Sequence, residues 1–164
     1  MTLLVVLVLS AVAVGVSPFA VRVLDRKAGW PLAALFIAAA WVVGRHVPDV
    51  ISHSPLSYKI TWLKDAIAPG MDIDFALRGD ALSVFFALLA LVIGAAVFIY
   101  SAAYLHNNDG NTSFYLIMSA FMLSVLLLVL SDDVVVLFIA WELVSIGSFL
   151  LIARAGSGGE AGSM

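Results

Sequence analysis

The chain has 164 residues, of which 63% are hydrophobic and only 12% charged, with a formal net charge of −3 and a mean hydropathy of +1.13. A soluble domain is about half apolar and about a quarter charged, and a small chain leaves a large share of its surface in water, so a soluble fold is excluded. No basic cluster offers a nucleic-acid surface, and the absence of cysteine rules out disulfides, thiolate metal sites and cysteine nucleophiles.

The first apolar run, Leu3–Val21, carries no charge and closes at Arg22. It is close to the roughly 20 apolar residues a spanning helix needs. A secretory signal peptide places positive charge before its apolar core. Here only Met1 and Thr2 precede the core, and Arg22, Arg26 and Lys27 follow it. The run therefore reads as an uncleaved helix with its N-terminus outside. A second, shorter run, Ala28–Gly44, closes at Arg45. The segment Pro48–Asp80 is polar by comparison. Within it Tyr58–Leu63 is rich in β-branched and aromatic residues, Met71–Leu77 alternates apolar with polar, and Pro69-Gly70 is a turn signal between them. That pattern predicts a β-hairpin. Ala81–Leu105 is long and uncharged, and Thr112–Leu130 opens after the polar loop His106–Asn111. Val134–Ala153 is apolar except for Glu142. Ala155–Met164 is mostly Gly, Ser and Ala, a flexible-connector composition, and the chain reads as the first part of a longer polypeptide.

The expected fold is all-α: a polytopic transmembrane bundle of about five helices with a small extracytoplasmic β-hairpin and the lipid bilayer as its solvent. Helices 1 and 2 occupy 1–47, the outer loop with its hairpin 48–80, helices 3 to 5 81–154, and the connector 155–164. Short cytoplasmic loops carry an excess of Lys and Arg. The loop with Arg22, Arg26 and Lys27 is therefore inside, as is Arg154. The loop with Asp132 and Asp133 has no Lys or Arg and is outside. The Pro48–Asp80 segment is also outside, since long loops translocate largely regardless of charge.

Glu142 is the ninth residue of its twenty-residue run, roughly 12 Å from the start of the helix and so near mid-membrane. A lone carboxylate there costs on the order of 3 kcal/mol or more, and desolvation favours its neutral form. A group that loads and releases a proton inside the bilayer has those properties; the competing reading is a structural glutamate bonded between helices. Ser145, one turn on, is placed to bond the carboxyl group or a water beside it, or to act as polar glue between helices. Ser148 lies farther round, and Trp141 reads as packing between helices. Asp132 and Asp133 read first as a helix N-cap and second as a mouth that admits cations; Asp80 reads the same way. His106 ends the third span near the cytoplasmic surface, where it is either solvated or a proton relay. Ala90 and Gly94 form a small-xxx-small packing pair. His46, His53 and His106 show no metal-ligand spacing, and no Gly-rich phosphate loop, Ser-His-Asp set, haem ligand or iron–sulfur pattern occurs. No cofactor is expected. One buried acid without a buried base makes an incomplete relay, so the partner of Glu142 is expected on other helices.

The stretch Trp141-Glu142-Leu-Val-Ser145-Ile-Gly-Ser148-Phe149-Leu150-Leu151-Ile152 resembles the fifth-helix signature of antiporter-like membrane subunits. These are the large subunits of Mrp-type multisubunit sodium/proton antiporters and their relatives in respiratory complex I and membrane hydrogenases. Arg78-Gly-Asp80-Ala-Leu82-Ser83 and Tyr100-Ser101-Ala-Ala-Tyr104-Leu105 agree with it in order and spacing, and the Leu-Val-Ser-Ile-Gly-Ser-Phe wording is most similar to the Mrp A subunit. The resemblance implies a secondary transporter subunit rather than an enzyme, in the cell membrane, working with other subunits of a hetero-oligomeric complex on Na+ and H+. It implies a proton-conducting role for Glu142, paired with a lysine on a later helix that lies beyond this sequence. The alternative is the homologous proton-pumping subunit of a complex I-type or hydrogenase-type redox complex.

Overall fold

The computed structural model of the protein describes residues 1–65, 67–105 and 111–161, with side chains described as far as Arg154. Helix α1 (Thr2–Leu24) and helix α2 (Gly29–Gly44) are joined by a 3-10 turn, Asp25–Ala28. Asp25 turns the chain with φ 50, a left-handed conformation that Asp adopts more readily than most residues. The two helices fold back on each other, which brings the Thr2 hydroxyl within 3.1 Å of His46 Nε2. Pro31 falls in the first turn of α2, where an N–H has no partner within the helix in any case.

A five-residue helix α3 (Val47–Ile51), which the sequence pattern did not signal, precedes the hairpin. Strands β1 (Leu56–Leu63) and β2 (Ile73–Gly79) pair antiparallel from Leu56 with Gly79 to Leu63 with Ile73, with an irregularity between Thr61 and Leu63. The hairpin is where the alternation placed it, but Met71 belongs to the turn: its N–H donates to the Ala68 carbonyl. Gly70, with φ 85, supplies the left-handed residue of that turn. The Asp65 carboxylate accepts from the Gly70 N–H, and Asp72 from the Asp65 N–H.

Helix α4 (Ala81–Tyr104) starts at Asp80, whose carboxylate accepts from the Ser83 N–H at 2.8 Å. Helix α5 (Asn111–Leu130) and helix α6 (Val134–Ala161) complete the described residues. The composition of 155–164 led to a flexible connector, whereas α6 continues to Ala161. No proline interrupts it, and each glycine costs a propagating helix only about 1 kcal/mol. By length and apolar content four segments are fit to span a bilayer: Thr2–Gly44, Ala81–Tyr104, Asn111–Leu130 and Val134–Arg154. The first is bent at Asp25 into two antiparallel helices, so five helices run through the bundle.

Helices α1, α2, α4 and α5 close a ring in which α1 packs on α2, α2 on α4, α4 on α5 and α5 on α1. A stack of aromatic side chains fills its interior, Phe36 on Phe98 at 5.2 Å and Phe98 on Tyr115 at 6.0 Å. Tyr115 donates its hydroxyl to the Arg26 carbonyl at 2.6 Å, and Asn111 donates its amide to Asp25 at 2.8 Å. The start of α5 thus pins the turn between α1 and α2. Gly94 leaves room for Met122 between α4 and α5, which is the close approach the small-residue pair predicted. Helix α6 stands outside the ring, packed on α5 with a small contact to β2.

Candidate functional site

The link between α5 and α6 is fixed to the hairpin before α6 begins. Leu77 of β2 and Ser131 form an antiparallel bridge, and the Asp132 N–H donates to the Ala76 carbonyl at 2.9 Å. Asp133 then caps α6, its carboxylate accepting from the N–H groups of Val135 at 2.8 Å and Val136 at 3.2 Å. The first of the two readings of Asp133 is therefore realised in the structure. Asp132 is exposed beside it. Both lie near Lys59, whose ammonium is 2.7 Å from Asp74. The hydrogen bond to Asp74 raises Lys59 above the usual lysine range, and Asp132 and Asp133 add smaller contributions of the same sign. Asp74 is held below the usual carboxylate range by the same hydrogen bond. Asp80 is likewise depressed, first by the backbone hydrogen bond from Ser83.

Along α6 the buried positions are Val136, Ala140 and Gly147. Gly147 lies against Phe121 of α5, where an added Cβ would come within 3.0 Å of the ring. Glu142 is five residues before Gly147 and two after Ala140, which puts it about 140–160° round the helix from both. It therefore projects away from α5 and from the whole ring. Among the described residues it has no hydrogen-bond or ion-pair partner. Its neighbours on that open side are Trp141 (62% exposed), Leu143, Ser145 and Ile146 (53% exposed). The expectation that no basic partner comes from these helices holds for the described residues. Trp141, read as packing between helices, packs on no other helix across most of its surface here.

Ser145 does not bond Glu142. Its hydroxyl donates to the Trp141 carbonyl at 3.1 Å, and Ser148 does the same to Val144 at 2.9 Å. Beside Ser145 is a cavity of about 230 Å³ lined by Leu128, Trp141, Val144 and Ser145. His106 lies outside the described residues. No group of three or more His, Asp or Glu side chains that could hold a metal ion occurs among the described residues. Two polar contacts between elements had no signal in the sequence, Tyr115 with Arg26 and His46 with Thr2 and Asp49. No spacing rule marks contacts between residues so far apart along the chain.

Residues 62–115 match the family described as NADH-Ubiquinone oxidoreductase (complex I), chain 5 N-terminus. Antiporter subunit mnhA2 of Staphylococcus aureus (strain MRSA252) is 37% identical over 142 residues, 85% of this chain and 17% of the relative. The protein of the same name from Staphylococcus epidermidis is 33% identical over an equal span. A chain in the structure of the Mrp complex from Dietzia sp. DQ12-45-1b superposes with a TM-score of 0.78 at 34% identity, covering 93% of this chain and 16% of that one. A chain of the membrane-bound sulfane sulfur reductase, an archaeal respiratory membrane complex, shares the fold with a TM-score of 0.69 at 18% identity, covering 92% of this chain and 22% of that one. The chain thus spans about a sixth of the length of the curated relatives it matches.

A ring of apolar helices under an outer hairpin, with an acid-bearing helix on its flank, defines a multi-pass membrane protein of the antiporter-like class. Within that class the chain has the sequence and fold of the N-terminal portion of the large A-type component of an Mrp antiporter.

Proposed function

We propose that this chain is part of the proton-conducting machinery of a multisubunit sodium/proton antiporter, with Glu142 as an intramembrane proton-transfer station. One observation carries the reading: a carboxylate near the middle of an apolar span faces away from every other helix described here. An acid in that position is tolerated only where another helix or a water-filled path meets it. Its partner therefore comes from outside these residues, and a cation such as a lysine supplies the complementary charge. Proton loading of Glu142 and movement of that charge would alternate, so that inward proton flow drives sodium outward. The hairpin end faces the outside, with the N-terminus. Asp132 is the residue there whose carboxylate is left to attract cations, since Asp133 caps α6. A second reading, a proton-pumping subunit of a redox complex, is favoured by the complex I description of the matching family.

The test uses inverted membrane vesicles containing the whole parent complex. A pH gradient is imposed, sodium is added, and a fluorescent dye follows the gradient. Sodium is expected to collapse the gradient in the wild type and to leave it intact in a Glu142→Gln complex whose assembly is verified on a native gel. Equal responses would make Glu142 structural. A gradient built by NADH or another electron donor, with no response to sodium, would favour the redox reading.

A further inference from the structure

We infer that Ser145 is a positioning residue for Glu142, acting as a hydrogen-bond acceptor that holds the proton-loaded acid; the inference rests on the proton-transfer reading of Glu142. A serine hydroxyl has one proton to give and two lone pairs to receive with. At Ser145 the proton is already committed to the Trp141 carbonyl one turn back. What the hydroxyl presents to its surroundings is acceptor capacity alone. Glu142 is three residues before Ser145, and residues so spaced have Cβ atoms roughly 5–6 Å apart on one face of a helix. Helical side chains lean toward the N-terminus, so Ser145 leans toward the turn that carries Glu142.

An acceptor discriminates between the two states of a carboxyl group. The neutral acid has an O–H to donate and gains a partner. The carboxylate has only lone pairs and meets another lone pair. The proton-loaded state is therefore the one Ser145 favours, through a chain of hydrogen bonds with a single direction: Glu142 O–H to Ser145 Oγ, and Ser145 O–H to the Trp141 carbonyl. The cavity of about 230 Å³ beside Ser145 leaves that side of α6 unfilled, so the carboxyl group has room to swing toward the hydroxyl. Ser148, with its proton committed to Val144 in the same way, lies six residues from Glu142, about 120° away from it round the helix.

Few other groups compete for control of this proton. Helix α5 carries no Asp, Glu, Lys, Arg or His from Asn111 to Leu130, and its Tyr115 is buried with its hydroxyl on Arg26. Asp74 and Arg78 of β2 stand at the hairpin end, and Asp74 is engaged by Lys59. On α6 itself Arg154 lies twelve residues on, roughly 18 Å along the axis.

The experiment is infrared difference spectroscopy on the assembled parent complex, following the protonated-carboxyl stretch as pH is varied, alongside the pH profile of sodium-driven proton movement. The band that disappears in Glu142→Gln belongs to Glu142. In Ser145→Ala that band is expected to fade at lower pH than in the wild type, by about one pH unit, the effect of one hydrogen bond lost from the neutral form. The transport profile should shift in the same direction. Ser145→Thr keeps a hydroxyl able to bond back to the Trp141 carbonyl, and should restore both. If Ser145→Ala leaves the Glu142 band and the profile where they were, or moves them to higher pH, the inference is overturned while Glu142 keeps its role. If no band is lost in Glu142→Gln and sodium-driven proton movement persists, the proton-transfer reading fails and the inference falls with it.

Discussion

A Cβ built on Gly29 would collide with the Phe98 carbonyl oxygen and lie 2.9 Å from both Ala102 Cβ and the Tyr115 hydroxyl. The first of these is backbone and cannot turn aside. Gly29→Ala is therefore expected to destabilise the bundle by about 1–3 kcal/mol through overpacking, read as a lower midpoint of thermal unfolding in detergent. Gly94 gives the contrasting case. Its added Cβ would meet only the sulfur and methyl of Met122, the flexible end of an adaptable side chain. Replacing Gly by Ala within a helix gains about 1 kcal/mol of propensity, so Gly94→Ala should leave the same midpoint almost unchanged. The spacing of Ala90 and Gly94 marked the second contact in the sequence. Nothing marked the first, because what Gly29 touches belongs to helices more than sixty positions away.

At the scale of elements, helix α6 depends on its start. Asp133→Ala removes the acceptor for two N–H groups and should cost about 1 kcal/mol of stability, whereas Asp133→Asn keeps a capping oxygen and removes the charge. If the asparagine variant transports as well as the wild type in the vesicle assay, the role of Asp133 is that of a cap. If it folds normally but needs more sodium, its charge also serves the mouth. The hairpin has its own electrostatic signature. Asp74 is held below its ordinary value of 3.8, so its contribution is fully present above that value and is lost as pH falls through the depressed one. Lys59 is raised above 10.5, so its contribution is present below that value and is lost as pH rises past the elevated one. The pair is intact at neutral pH. Limited proteolysis between β1 and β2 should accelerate in acid below about pH 4, and Asp74→Asn should flatten that dependence. The hairpin was legible because alternation and a Pro-Gly turn are local signals. Helix α3 was not, since five residues carry too little periodicity to stand out. The run past Arg154 was misread because Gly and Ser signal composition rather than the state of a helix already under way.

For the whole molecule, the two ends differ in charge as a membrane protein's should. Arg22, Arg26, Lys27 and Arg154 gather at one end, as the contacts of Tyr115 with Arg26 and of Arg154 with Phe114 require. The hairpin, Asp80, Asp132 and Asp133 gather at the other. The sequence holds no native cysteine, so single cysteines report orientation without interference. An impermeant thiol reagent applied from outside should label Trp62→Cys and spare Lys27→Cys; the reverse pattern would invert the topology. The helices, their order and the acid on the last of them could be read from hydropathy alone. Which helix neighbours which could not, because every span here is apolar on nearly all sides and the ring is selected by shape.

The open side of α6 also bears on how such a protein is made. A carboxyl group that no helix of this portion covers leaves the translocon facing acyl chains until its partner arrives. A segment in that condition is a ready substrate for membrane quality control. The half-life of the protein would thereby be tied to successful assembly, and unmatched copies would be cleared before they could leak protons. Expressed without its partners, the Glu142→Leu form should accumulate to a higher level in a pulse-chase experiment than the natural sequence.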